Sequence, residues 1–169
     1  MVVAKTLEAH THLVAQLQAR SVKRVYQAVA NGLLTGSGVV DQPIGRHLRQ
    51  RVKMAVVSDG KEARTHYSVL QRFHGHSHIK LQLETGRTHQ IRVHLVSQGH
   101  PIAGDDKYGD FEWNKALQKQ GLKRMFLHAW RLQFTHPATG KRVELMSNLP
   151  PELQLYVNHV KSKSSPPSV

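Results

Sequence analysis

The sequence contains no cysteine, few acidic residues and no long hydrophobic run. Without cysteine there can be no disulfide framework, no thiolate metal site and no cysteine nucleophile. No apolar run approaches the ~20 residues that a membrane-spanning helix requires. The apolar part of the N-terminal stretch MVVAKT is shorter than the apolar region of a secretory signal peptide. These absences favour a cytoplasmic protein that is not anchored in a membrane.

The charged residues that are present are mostly basic. The chain has 24 Lys and Arg residues against 11 Asp and Glu, which gives a formal net charge of +13 with neutral histidines. Such an excess favours a polyanionic partner, and RNA, DNA or an acidic membrane surface would all fit. A membrane surface fits least well, because no amphipathic segment is basic along its whole polar face.

Length and composition indicate one compact domain. The chain has 169 residues, of which 39% are hydrophobic, and this is enough for a single core but not for two. We expect the folded domain to span residues 1–160. The segment 161–169, KSKSSPPSV, is polar and is predicted to be a disordered tail.

Strand and helix patterns alternate along the chain without internal repeats. Strands are predicted at 2–4, 23–30, 39–41, 54–57, 63–73, 79–83, 125–134 and 141–146. Helices are predicted after Thr6, from 88 to 98, and from Pro150-Pro151 onward. Because short turns join several strands, we expect antiparallel pairing with helices packed on the sheet. The predicted fold class is α+β with a mixed, mostly antiparallel sheet.

The same patterns predict several local features. Asp59-Gly60 predicts a hairpin between strands 54–57 and 63–73. Residues 104–124, which are rich in Gly, Asp and Lys, predict an irregular connection. The first helix is expected to turn four apolar residues toward the core: Leu7, Leu13, Val14 and Leu17. The last helix is expected to bury a stripe of three: Leu153, Val157 and Val160.

The stretch TGRTHQIRVHL at 85–95 places two arginines directly behind an apolar strand. Gly86 would be a turn residue, and the free N–H groups of a helix that begins after it would suit an anion. Arg87 and Arg92 would diverge by roughly 140° at ~3.6 residues per turn, so only one of them could turn inward. A basic amphipathic helix lying over the sheet is the simpler interpretation. An inward arginine would need a carboxylate partner, and the sequence shows no obvious one nearby.

A second basic segment, GRHLRQRVK at 45–53, is predicted to be an exposed loop. Its cationic residues are Arg46, Arg49, Arg51 and Lys53. A solvated protein face is the usual role of such a loop. In an RNA-binding protein the same residues would contact phosphates, and both interpretations are open at this point.

Four histidines are candidate metal ligands or site residues. His74, His76 and His78 alternate, so a strand would present three imidazoles to a zinc ion on one side. Gly75 favours a turn instead, and no carboxylate that could orient the rings is close in sequence. We therefore predict no metal site. His128, among aromatic neighbours, is typical of a hydrogen-bonded core histidine.

Three motifs in order carry a family resemblance. TGRTHQIRVH, followed by GHPIAGDDKYG and FLHAWRLQFTHP, resembles the RluA/RluD family of ribosomal RNA pseudouridine synthases. MVVAKT resembles the strand that follows the family's catalytic loop, KRVYQAVANG its tyrosine-bearing strand, and ARTHYSVLQRF a later structural strand. The resemblance spans nearly the whole chain and implies an isomerase that converts uridine to pseudouridine in large-subunit ribosomal RNA without cofactor or metal.

The resemblance also assigns roles to residues of this sequence. In the family an aspartate of an HRLD loop attacks the nucleotide, the glycosidic bond breaks, and the uracil turns to bond through C5. Arg92, the arginine of QIR, would pair with that aspartate, and Tyr26 would stack on the flipped uracil. Arg87 and Gln90 would help to form the floor of the site.

Supporting positions follow from the same resemblance. Asp105 and Tyr108 of GDDKYG match a family motif that would support the site, although a capped loop is the simpler alternative. The expected supporting residues are Gly86, Asp105, Tyr108 and His128.

The sequence departs from the family pattern in one place, because it contains no HRLD loop. That loop would lie just upstream of Met1, so we interpret the chain as an N-terminally truncated synthase that is inactive by itself. Arg92 would then lack its partner, and the loss of one member of a buried pair can cost ~3–5 kcal/mol, so we expect a fragile fold. The alternative hypothesis is a non-catalytic basic RNA-binding module on the same platform.

Overall fold

The computed structural model describes residues 2–164, which form four helices and eight strands. The helices are α1 (Leu7–Gln18), α2 (Gln90–Ser97), α3 (Phe111–Lys119) and α4 (Pro151–Ser164). The strands are β1 (Lys23–Asn31), β2 (Ser37–Asp41), β3 (Ile44–Arg46), β4 (Met54–Val56), β5 (Arg64–Arg72), β6 (His76–Leu83), β7 (Leu127–Thr135) and β8 (Arg142–Met146).

One large sheet organises the fold. Its six strands lie in the order β2-β5-β6-β1-β7-β8, and β3 and β4 form a separate two-stranded sheet. Every strand pair within the described residues is antiparallel. The predicted α+β class with a mostly antiparallel sheet is confirmed.

The two faces of the sheet are covered by different helices. Because successive side chains of a strand point to opposite faces, Ala28 and Val29 of β1 enter different cores. Ala28 lies in a cluster with Ile91 and Leu95 of α2. Val29 lies in a cluster with Leu153 of α4. The predicted stripe of α4 is confirmed, since Leu153, Val157 and Val160 are all buried.

Helix α1 is capped as predicted but packs differently. Thr6 Oγ1 accepts a hydrogen bond from the N–H of Ala9 at 3.0 Å, which satisfies one free donor of the first turn. The expected apolar stripe is wrong, because Leu7 is 81% and Leu17 45% exposed. Instead the buried residue is Gln16, whose amide exchanges two 2.7 Å hydrogen bonds with the backbone of Thr135. A polar side chain therefore docks this helix on β7.

Three other local predictions are wrong. Residues 2–4 form no strand. Strand β4 pairs with β3 rather than with β5, so Asp59-Gly60 does not join a hairpin of two long strands. The segment 104–124 contains α3, whose N-terminus is capped by Asp110 accepting from the N–H of Trp113 at 3.0 Å. Glu112 in its first turn and Lys119 in its last turn match the helix dipole, and this signal was available in the sequence.

The C-terminal boundary also differs from the prediction. Helix α4 continues to Ser164, past the domain boundary expected at residue 160. Residues 165–169 lie outside the described residues. Within 2–164, none of the helices combines the length and the apolar character needed to cross a membrane.

The docking of α1 gives a testable prediction. Replacing Gln16 by Leu (Gln16→Leu) leaves the N–H and C=O of Thr135 without partners, and we expect a loss of about 2 kcal/mol in the free energy of unfolding. Gln18→Leu is the matched control on the exposed face of the same helix and should change stability little. Urea denaturation measures both, and equal losses would contradict the role of Gln16.

Candidate active site

The motif TGRTHQIRVH closes the end of β6 and starts α2. Gln90 is buried and joins both sides of this turn. Its Oε1 accepts from the Thr85 hydroxyl at 2.7 Å and from the N–H of Arg87 at 3.0 Å. Its Nε2 donates to the carbonyl of Arg64 at 3.0 Å and to Thr65 Oγ1 at 2.9 Å. Gln90 therefore fixes where α2 begins against β5, which is consistent with the floor role expected for it.

Arg92 turns inward from α2 and is paired. Its Nε donates to Asp105 Oδ2 at 2.9 Å and its Nη2 to Oδ1 at 2.7 Å, so the two side chains form a bidentate pair. The Asp105 side chain is fully buried and that of Arg92 is 15% exposed. The expectation that no carboxylate in the chain serves Arg92 is wrong. The fragility inferred from an unpaired Arg92 therefore loses its basis.

Asp105 is held in its ionised form by several donors. Burial would raise the pKa of this carboxyl, but hydrogen bonds from Arg92 and from the N–H groups of Tyr108 and Lys107 outweigh it, so the pKa lies below its ordinary value of 3.8. The same hydrogen bond from Arg92 to Asp105 raises the pKa of the guanidinium. The 105–108 turn is thus folded around one anionic side chain.

Tyr108 connects this pair to the basic loop. Its hydroxyl accepts from the N–H of Met54 at 2.9 Å and lies 2.8 Å from His89 Nδ1. The Arg92 Cζ lies 5.0 Å and the Lys53 Nζ 6.0 Å from the centre of the Tyr108 ring. Burial, Arg92 and Lys107 lower the pKa of His89, which favours the neutral ring. Two cations, Arg92 and Lys53, therefore lie within reach of the Tyr108 ring.

Most of the basic loop is an exposed turn, as predicted, but Gly45 and Arg46 belong to strand β3. Arg46 closes it by donating from Nη1 to the carbonyl of Arg51 at 3.1 Å. Arg49 and Arg51 are exposed. Lys53 and Tyr108 border a surface cleft of about 410 Å³ between the loop and α2. Lys53 and Lys107 line this cleft, and Tyr108 connects it to the Arg92 pair.

Tyr26 occupies a different cleft on the sheet. It is half-buried on β1, opposite Leu81 of β6 and Ala129 of β7, and it borders a cleft of about 250 Å³ together with Arg24 and Trp130. Tyr26 shares a hydrophobic cluster with Ile91, the residue before Arg92. The side chains of Tyr26 and Arg92 make no hydrogen bond or ring contact in the part of the chain that is described.

Two of the three alternating histidines, His76 and His78, lie apart from these clefts. His76 packs against Trp113 and His78 against Phe126, with ring centroids 5.5 and 5.6 Å apart. Burial lowers the pKa of His78 to about 4. Within residues 2–164 no three metal-ligating side chains form a cluster.

His128 has its expected hydrogen bond, from Nε2 to the Ser147 carbonyl at 2.7 Å, but it lies opposite Gln27 in the register. Because Gln27 and Tyr26 point to opposite faces of β1, His128 does not stand beside Tyr26, and its supporting role stays a prediction.

The structure brings some predicted residues together and adds others. Arg92, Asp105, Tyr108 and Lys53 form one group, whereas Tyr26 and Gly86 belong to a second group around Arg24. The sequence did not single out Arg24 or His89. The alternation of β1 could have revealed Arg24, which stands two residues before Tyr26 on the same face. No sequence pattern indicates His89, whose backbone is left-handed with a φ of 53°.

The Arg92 pair gives a prediction about stability. Asp105→Asn removes the negative charge and leaves Arg92 without its counterion, so we expect a loss of about 3 kcal/mol in the free energy of unfolding. Asp106→Asn changes the exposed neighbour and is the matched control. Thermal or urea denaturation measures both, and a similar effect of the two variants would refute the pair's role.

Acid titration of the same variants tests whether the charge of Asp105 causes the expected loss of stability. Because the folded-state pKa of Asp105 is lowered, its contribution is complete above the ordinary value of 3.8 and is lost as the pH falls through the lower folded value. The stability difference between the unmodified chain and Asp105→Asn should therefore narrow below that pH. A difference that stays constant would indicate that charge is not its origin.

Comparisons with known proteins agree with the motifs. Residues 1–97 match the family described as RNA pseudouridylate synthase. The chain is 54% identical over 157 residues to ribosomal large subunit pseudouridine synthase D of Pseudomonas aeruginosa, covering 89% of this chain and 49% of the relative. It is 49% identical over 166 residues to the protein of that name from Nitrosomonas europaea, covering 96% and 48%. The chain spans about half the length of these curated relatives.

Solved structures share the fold. Human RNA Pseudouridylate Synthase Domain Containing 1 superimposes with a TM-score of 0.71 at 26% identity, covering 98% of this chain and 76% of that one. Human RNA Pseudouridylate Synthase Domain Containing 4 gives a TM-score of 0.75 at 28% identity, covering 95% and 70%. The family resemblance predicted from the motifs is confirmed, and the chain belongs to the RNA pseudouridylate synthase family.

Proposed function

We propose that this chain is part of an RNA pseudouridine synthase that isomerises uridine in large-subunit ribosomal RNA. The observation that carries the proposal is the packing of the TGRTHQIRVH helix on the sheet face that presents Tyr26. The curated relatives named ribosomal large subunit pseudouridine synthase D support the substrate class. In this proposal residues 1–160 contribute to the catalytic domain, the partner is RNA, and the protein acts in the cytoplasm.

Within this function Tyr26 would stack on the extruded uracil, since a half-buried ring that borders a cleft offers one face to a base. Arg87 and the basic loop would contact phosphates. The proposed reaction rearranges bonds within one nucleotide and calls for neither cofactor nor metal.

Arg92 can serve a catalytic carboxylate even though it is paired. Asp105 engages only Nε and Nη2, and among the described residues Nη1 has no hydrogen-bond partner. A guanidinium presents donors on more than one edge, so a second carboxylate can bind while the first holds the group in place. Asp105 would then be the positioning residue that aims Arg92 at the incoming nucleophile.

The nucleophile itself is not identifiable in this sequence, which contains no HRLD motif. Asp105 is paired with Arg92 and Asp41 with Arg64, and the exposed Asp106 does not stand in an HRLD context. We therefore expect that these 169 residues alone do not isomerise uridine. The same observation favours the second candidate, a basic RNA-binding module without chemistry.

Tritium release separates the two candidates. The chain is compared with a version extended at its N-terminus by a segment that carries an HRLD loop, using ribosomal RNA labelled at C5 of uridine. We expect release only by the extended chain, because only it carries the carboxylate nucleophile. Tyr26→Ala in the extended chain should abolish or strongly reduce release. Release by the short chain would overturn its predicted inactivity, and failure of a folded extended chain would favour the binding module.

RNA affinity tests the basic loop. Arg49→Gln combined with Arg51→Gln should lower the slope of log affinity against log salt by about 1.4, because each lost phosphate contact removes roughly 0.7 for a single strand. Lys119→Gln combined with Lys123→Gln removes the same charge from exposed positions on and after α3 and is the matched control. Fluorescence anisotropy with a single-stranded RNA measures both. Equal slopes for the two double variants would assign the effect to net charge alone.

A further inference from the structure

Arg24 is a half-buried cation that the proposed mechanism does not use. It lies on β1 at the meeting point of two clefts, one of about 250 Å³ shared with Tyr26 and one of about 360 Å³ shared with Arg20 and Arg87. Arg24 and Tyr26 are two residues apart, so both point to the same sheet face. The guanidinium rests on the backbone of Gly86, where an added Cβ would lie 3.3 Å from the Arg24 Cζ and would collide with Nη1.

Within residues 2–164 Arg24 has no counterion. Its Nε is buried without a hydrogen-bond partner, and no carboxylate lies within ion-pair distance of the group. The neighbouring arginines do have partners. Arg20 pairs with Glu62 and Glu84, and Arg87 donates a hydrogen bond to the carbonyl of Glu62 at 2.7 Å. Burial lowers the pKa of Arg24, and only Tyr26 acts in the opposite direction.

An arrangement of this kind destabilises the free protein. A desolvated charge without a partner is unfavourable, and it is most easily explained when a ligand supplies the opposite charge. The donors of the guanidinium suit an oxyanion, and phosphate is bound through two parallel N–H groups. Arg87 on the rim of the second cleft adds positive charge beside Arg24, whereas Arg20 there is neutralised by its pairs with Glu62 and Glu84.

The neighbouring ring of Tyr26 indicates which phosphate of the RNA Arg24 would bind. Residues i and i+2 of a strand are separated by about 7 Å, a spacing that suits the span from the phosphate to the base of one nucleotide. We infer that Arg24 binds a backbone phosphate flanking the nucleotide whose base lies on Tyr26. This inference rests on the proposed function and adds to it a residue that positions the substrate. Gly86 then has a specific use, because only a residue without a side chain leaves room for the guanidinium.

The test uses the complete chain and a short single-stranded RNA that contains one uridine. In one version of the RNA, uncharged methylphosphonate linkages replace the phosphates on both sides of the uridine. Anisotropy measures the affinity of the unmodified chain, of Arg24→Met, and of Arg124→Met as a matched control, since Arg124 pairs with Glu152 away from these clefts. Thermal melting of each free variant provides a readout of folding that does not depend on RNA.

We expect Arg24→Met to bind the normal RNA roughly tenfold more weakly and to lower the salt slope by about 0.7, the share of one phosphate. The methylphosphonate RNA should lose about tenfold for the unmodified chain and little for Arg24→Met, because the two changes remove one contact. The melting temperature of Arg24→Met should stay the same or rise. Gly86→Ala should weaken binding in the same way by displacing the guanidinium.

Three results would overturn the inference. A methylphosphonate effect of equal size in both chains would show that Arg24 does not contact those phosphates. A lower melting temperature of Arg24→Met with an unchanged salt slope would make Arg24 a packing residue, while RNA binding by the unmodified chain would leave the proposed function intact. If the unmodified chain binds no RNA in any version, the inference fails together with the proposed function.

Discussion

The ion pair between Arg92 and Asp105 is the interaction on which the site's architecture depends. It joins α2 to the turn at 105–108, and that turn presents Tyr108 to Met54 and His89. Each polar atom of Asp105 has at least one donor, so a fully buried carboxylate becomes tolerable where an unpaired one would not. The pair thus gives α2 and the turn a direct, directional contact beside the apolar contact that Val93 and Tyr108 share with Met54.

Satisfied and unsatisfied arginines lie close together in this chain, and the contrast is informative. Arg92 is held by a carboxylate, whereas Arg24 is half-buried and has no counterion among residues 2–164. The two groups stand at opposite ends of the same motif, since Gly86 supports Arg24 and α2 carries Arg92. An unpaired cation lowers the stability of the fold, and a paired cation fixes its geometry. This combination is typical of sites that are preorganised for an anionic ligand.

Sequence patterns predicted the parts of the fold in which local periodicity and burial agree. The alternation of β1 and β6, the Thr6 cap and the stripe of α4 were confirmed because each side chain's environment follows from its own strand or helix. Predictions failed where a distant partner decides. Gln16 is buried only because the backbone of Thr135 receives it, and Arg92 is paired only because a loop thirteen residues later folds back. Such contacts are set by tertiary structure and leave no periodic trace.

The position of Asp105 explains why a family motif can have structural and chemical roles at once. Its hydrogen bonds fix one edge of the Arg92 guanidinium, through Nε and Nη2, and leave Nη1 facing away from the pair. A catalytic arginine that had to wait for its nucleophile unpaired would resemble Arg24 in cost, and it could adopt many rotamers. Pairing with Asp105 removes both difficulties, because the guanidinium is charged, oriented and rigid before a second carboxylate arrives. The GDDKYG turn therefore stabilises the fold by the same bonds that would prepare the site for chemistry.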